Sequence, residues 1–279
     1  MAKIKIITDS TSDLSIEEIE RYDVEVVPMT VTIDGEEFID MDNKEYIYKM
    51  RTAKQFFTSQ PSVGKFLEIY KKWTELGYKV ISIHVSSVLS GTYSTAHSAS
   101  KEFDGVYVID TKTASRGIKY VIENCYNYIL EGVEILEIIK RLNKKTKDIL
   151  TYVTIDKLDN LVRGGRIKKT SGLIGGILNL KILTKLCEEE LMVVDKVRGK
   201  KKLVQALIKT ILIDIKDRTV KQISLVDTIS DEYIKEIREA IYDNVGYLIP
   251  DNNIRTTTPA VSTHAGEGSV GVIIELHEQ

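Results

Sequence analysis

The side chains best suited to chemistry in this sequence are four histidines, two cysteines and three hydroxyl-rich stretches. His84, His97, His264 and His277 form no H-x-x-x-H or H-E-x-x-H pair, and Cys125 and Cys187 stand apart. Zinc-type ligand spacing is therefore missing, and no metal site is expected. The hydroxyl-rich stretches are 8–12 (T-D-S-T-S), 86–94 (S-S-V-L-S-G-T-Y-S) and 111–115 (T-K-T-A-S). Each joins an apolar run to a helix-like pattern, where hydroxyls and free N–H groups suit an anion. Taken singly, such residues more often cap helices.

A fourth stretch, 262–276, reads S-T-H-A-G-E-G-S-V-G-V-I-I-E-L and contains G-x-G-x-x-G at 266–271. A dinucleotide site needs a helix after that motif and an acidic residue about twenty positions on. Only eight residues follow Gly271, and V-I-I-E-L reads as a strand, so the context excludes NAD. The glycines instead let the backbone turn sharply beside His264. No G-x-x-x-x-G-K-[ST] loop is present to hold ATP. Nor is there a G-x-S-x-G elbow, although Ser86 or Ser87 with His264 could still assemble a serine hydrolase, because triads are defined by geometry.

These residues need strands and helices to position them. Residues 4–8, 79–85 and 106–110 read as buried strands, each followed by a polar loop and a helix, the signature of parallel β-α-β units. Ser15 and Glu18 have capping-box spacing, Asp34-Gly35 marks a hairpin, T-S-Q-P-S (58–62) is a proline-marked loop, and Ser62 caps a helix to about Leu76. After about residue 150 the texture changes. A helix near 156–161, the turn R-G-G-R (163–166), an apolar segment 172–180, a hairpin 181–196 and a helix from Lys200 follow. The expected boundary divides the chain into 1–149 and 150–279.

Composition bounds the rest. The 279 residues are 43% hydrophobic and 29% charged, with a net charge of −2 and no apolar run long enough to span a membrane. The N-terminus lacks a secretion-signal pattern, so a cytoplasmic protein is expected. Between Arg163 and Lys202, eleven Lys and Arg face four acids. That stretch is either a solvated face or a dock for something acidic. It lacks interleaved aromatics, and no nucleic-acid partner is expected.

Seven segments in register resemble the DegV family, whose better understood members are the fatty-acid-binding FakB subunits of bacterial fatty acid kinase. They are T-D-S-T-S-D-L at Thr8, T-S-Q-P-S at Thr58, V-S-S-V-L-S-G-T-Y at Val85, V-I-D-T at Val108, L-V-R-G-G-R-I at Leu161, I-L-N-L-K at Ile177 and T-H-A-G-E-G-S-V-G at Thr263. The resemblance implies a two-domain α/β fold: an N-terminal, mainly parallel sheet with flanking helices, a C-terminal mixed-sheet domain, and a fatty acid between them. It implies that the carboxylate is held by Thr58 or Ser59, Ser87 or Ser86, and His264, with the tail in a tunnel to which Leu173, Ile174 and Ile177 could contribute. Arg166 and Arg198 would face a FakA-like kinase. On this reading the chain has no catalysis or cofactor of its own; the partner supplies ATP and magnesium and converts the acid to acyl phosphate. About fifteen methylenes at roughly 0.8 kcal/mol each could contribute on the order of 12 kcal/mol of tail burial, an upper limit.

Departures from the family pattern are also present. T-P-A-V-S-T-H, expected as a strand entering the head-group turn, stands where relatives read G-P-V-I-G-T-H, placing Thr258 and Ser262 at glycine positions, and Ile182 replaces a proline. Glu267, three residues from His264, is expected either to raise the histidine's pKa or to repel a carboxylate.

Overall fold

The computed structural model describes residues 3–39, 41–156, 158–167 and 180–278, with the side chains of residues 231 and 232 excepted. In chain order the first part runs β1 (Lys3–Asp9), α1 (Ile16–Arg21), β2 (Val24–Val27), β3 (Thr30–Ile33), β4 (Glu36–Phe38), α2 (Asn43–Thr52) and β5 (Phe56–Ser59). It continues with α3 (Val63–Glu75), β6 (Tyr78–His84), α4 (Thr92–Ser100), β7 (Val106–Asp110), α5 (Arg116–Leu130) and α6 (Ile135–Lys145). The second part runs β8 (Ile149–Ile155), α7 (Asp159–Arg163), β9 (Leu180–Leu186), β10 (Leu191–Arg198), α8 (Lys200–Asp214) and β11 (Val220–Asp227). It ends with α9 (Asp231–Val245), β12 (Ile254–Thr256), α10 (Pro259–Ala265) and β13 (Val270–Leu276).

The strands form three sheets, and sheet membership changes between Asp148 and Ile149. A four-stranded sheet has the order β2-β1-β6-β7, every pair parallel, as β-α-β connections require. A small antiparallel sheet, β4-β3-β5, sits beside it. All later strands join one mixed sheet, β10-β9-β8-β13-β11-β12. The central strands of the parallel sheet are apolar because helices cover both faces: Ile6, Ile81, Ile83 and Ile109 pack with α5 and α6, while Ile7 and Val80 pack with α3 and α4.

Local chemistry explains several boundaries. Ser15 and Glu18 form the expected capping box on α1, and Ser62 caps α3 by accepting from Lys65 N. Asp34 and Gly35 both have positive φ, +50° and +90°, the pattern of a type I′ hairpin turn between β3 and β4. Two expectations shift. The short helix after β8 begins at Asp159 and not at Asp156, and residues 259–265, expected to be a strand entering a turn, form α10. Pro259 at the first helical position fixes its start, and Gly266, at φ +78°, ends it.

Candidate functional site

An apolar cavity of about 110 Å³ opens where the three sheets meet. Val85 and Leu89 line it from beyond β6; Thr151, Val153 and Ile155 from β8; Leu186 and Leu191 from the β9–β10 hairpin. Its ionisable lining residues are His264 and Arg166, and Thr58, Ser90, Thr11 and Thr151 add hydroxyls. The walls are thus hydrocarbon, with polar groups of neutral or positive type.

Thr58 and His264 meet across 206 residues: Thr58 Oγ1 and His264 Nε2 share a hydrogen bond of 2.9 Å. Thr58 reaches inward because β5 is pleated. Successive side chains alternate faces, so Thr58 lines the cavity while Ser59 is exposed. T-S-Q-P-S therefore begins as a strand end, not as the expected loop. On the histidine's other side, Nδ1 is buried without a hydrogen-bond partner and lies against Gly164. A Cβ at Gly164 would fall 2.3 Å from that nitrogen, so the R-G-G-R turn needs glycine there to admit the ring.

Burial, reinforced by the nearby Arg166 charge, pushes the His264 pKa down to about 4. The imidazole is neutral at physiological pH. This overturns the expected upward shift from Glu267, whose carboxylate pairs with Arg51 (Nε–Oε2 3.0 Å). Arg166 donates to two backbone carbonyls, Leu89 O at 3.0 Å and Gly164 O at 2.5 Å, and burial lowers its pKa from the ordinary value. Carbonyls satisfy its N–H groups without cancelling its charge.

The serine loop differs from the sequence reading. Ser86 is fully buried, its Oγ accepting from Val88 N, and Ser87 is exposed beside Lys112, which donates to its Oγ at 3.4 Å. Neither lines the cavity; Ser90, from the same loop, does. The cause is a tight turn in which Leu89 N and Ser90 N both bond to Ser86 O, carrying Ser90 round to the inner side. No described serine bonds the His264 ring, so the geometry gives no support to a Ser86- or Ser87-based hydrolase. Arg166 is a cavity residue, whereas Arg198 is exposed at the end of β10. Leu173, Ile174 and Ile177 lie outside the described residues.

The carboxylates of the first loop turn out to be fasteners. Asp9 accepts from Thr11 N, Val85 N and His84 Nδ1 (2.9 Å); against the upward push of burial, the bond and charge of His84 hold its pKa below the usual value. Asp13 binds Thr257 Oγ1 (2.7 Å), Thr258 N (2.9 Å) and Ser115, tying the first loop to the entrance of α10. The sequence concealed both roles, since the partners other than Thr11 lie 75 to 245 residues away. It also concealed a fully buried chain, Tyr70–Ser82–His84–Asp9, whose links are 2.8, 2.7 and 2.9 Å. All four side chains are inaccessible, which removes that serine from contact with any substrate.

Residues 3–277 match the family model for "Uncharacterised protein, DegV family". A DegV domain-containing protein of Staphylococcus aureus (strain COL) is 37% identical over 278 residues, covering 98% of this chain and 99% of the relative. Among solved structures, a DegV lipid-binding protein from Thermotoga maritima superposes with a TM-score of 0.86 at 31% identity, covering 99% of each chain. A DegV family protein from Thermus thermophilus, solved for its fatty acid binding, gives 0.87 at 28% identity, covering 98% of this chain and 99% of its own.

Proposed function

The chain belongs to the DegV family, and from that premise we propose that it binds a long-chain fatty acid and presents the carboxylate to a partner, an ATP-dependent kinase that forms acyl phosphate. The observation that carries the reading is a hydrocarbon-walled cavity lined also by hydroxyls, a neutral imidazole and Arg166, which pairs with no carboxylate among the described residues. Such walls favour an alkyl chain, with each buried methylene contributing roughly 0.8 kcal/mol. A carboxylate is costly to bury unless donors meet it. Ser90 and the Thr58 hydroxyl are the donors, the latter freed to donate when His264 Nε2–H donates to its oxygen, and Arg166 offsets the charge.

The chain's part is to bind, orient and exclude water; ATP and magnesium belong to the partner. Transfer of phosphate to a carboxylate brings anions together, so the basic run containing exposed Arg198 suits a docking face. To test the binding step, purified protein is denatured, extracted and examined by mass spectrometry. A fatty acid in about one-to-one ratio is expected. Absence of any fatty acid, with no uptake of added palmitate or oleate, would sink the reading.

A further inference from the structure

A second cavity, of about 120 Å³, lies against the first and shares two of its walls, Met29 and Ala260. Both walls stand beside the candidate head-group residues. Met29 lies two positions before Val31, the cross-strand partner of Thr58, and Ala260 is one helical turn before His264 on α10. Any side pocket opening here would therefore meet the acyl chain close to its carboxyl end, not at its tail.

The second cavity is not purely apolar. Val31, Phe38 and Met41 line it together with the hydroxyl-bearing residues Ser10 and Thr258. Ser10 Oγ already accepts from Met29 N, but Thr258 Oγ1 is a buried atom with no hydrogen-bond partner. One turn further along the same face of α10, the fully buried Ser262 also carries an unpartnered Oγ. Buried hydroxyls nearly always find a partner, so an orphan on a residue that lines a cavity, one side-chain rotation away from it, points to a polar occupant. One of the two shared walls is a methionine, an unbranched side chain whose sulfur accepts a weak 3.5 Å contact from Thr92 and which adapts to its neighbours more readily than a branched one.

We infer that the second cavity is a side pocket for a hydroxyl carried near the carboxyl end of the acyl chain, with Thr258 as its hydrogen-bond partner, so that the ligand range includes 2- or 3-hydroxy fatty acids. The inference rests on the fatty-acid reading but adds a residue and a ligand class to it. A site built to bond a hydroxyl discriminates against the analogue lacking it, because its own polar group is then left unpaired.

Competition between palmitate and 2-, 3- or 16-hydroxypalmitate, read by native mass spectrometry on delipidated protein, tests it. A 2- or 3-hydroxyl should improve competition at least about fivefold over unsubstituted palmitate, a typical yield for one hydrogen bond, whereas a 16-hydroxyl should not. Thr258→Val, nearly isosteric and with its backbone bond to Asp13 intact, should erase that preference while leaving palmitate binding unchanged; Thr258→Ser should retain it. Equal preference in wild type and Thr258→Val would mean that the orphan hydroxyl serves an ordered water only, and would overturn the proposal. So would an equal loss of every ligand in Thr258→Val. If the wild-type protein takes up none of the four acids, the fatty-acid reading itself fails.

Discussion

His264 carries the clearest electrostatic signature in the cavity. Its pKa, about 4 in the fold, lies below the ordinary value of 6.5, so the folded state binds a proton less readily than the unfolded chain. Stability therefore rises with pH between these values and falls as acid is added through the same window. The contribution lost on full protonation is on the order of 3 kcal/mol. In ligand-free protein, His264→Asn should flatten the melting-temperature profile between about pH 6.5 and pH 4 relative to wild type; parallel profiles would contradict this assignment. The identities of Thr58 and His264 could be picked out from the sequence, but the choice among Ser86, Ser87 and Ser90 could not. That choice depends on how Ser86 O gathers two N–H groups, a matter of turn geometry and not residue type.

At the scale of elements, signals that act within a few residues were legible. The capping box at Ser15, the cap at Ser62 and the Asp34-Gly35 hairpin each appear where local chemistry places them. Interactions that cross the chain were hidden. The segment expected as a strand over 259–265 is the helix α10, whose entrance is fixed by Asp13, more than 240 residues earlier. The R-G-G-R turn is a similar case: Gly165, at φ +70°, is required by the backbone, but Gly164 is required by the ring of His264. Gly164→Ala should displace that ring, weakening palmitate at least tenfold in a binding titration while the far-ultraviolet circular dichroism stays native. Unaltered affinity would show that the turn yields and the ring does not.

Across the whole molecule, the two parts are joined by more than apolar packing. α5 lies against β13, with Tyr120 OH donating to Ser224 Oγ at 2.6 Å. Beside it the fully buried Glu275 accepts from Asn124 (2.8 Å), Gln222 (2.6 Å) and Lys221 (3.1 Å), with Lys145 at 3.4 Å. Removing one partner of a buried charge group leaves the others uncompensated. Glu275→Gln should thus cost about 3 kcal/mol in chemical denaturation, the low end for such breaks. A change below about 0.5 kcal/mol would show that the lysines find other partners. The cavity lies where the sheets meet, so this junction also bears on how closely its walls approach.

β13 occupies the middle of the six-stranded sheet, paired on one side with β8 and on the other with β11. Its residues nevertheless leave the ribosome after those of every other described strand. Until they emerge, the sheet has an open slot at its centre between β8 and β11. The parallel sheet, whose strands all come from the first 110 residues, has no such delay. Synthesis therefore completes the parallel sheet early, whereas β8, whose Thr151 and Val153 line the cavity, gains its second neighbouring strand only when β13 is inserted.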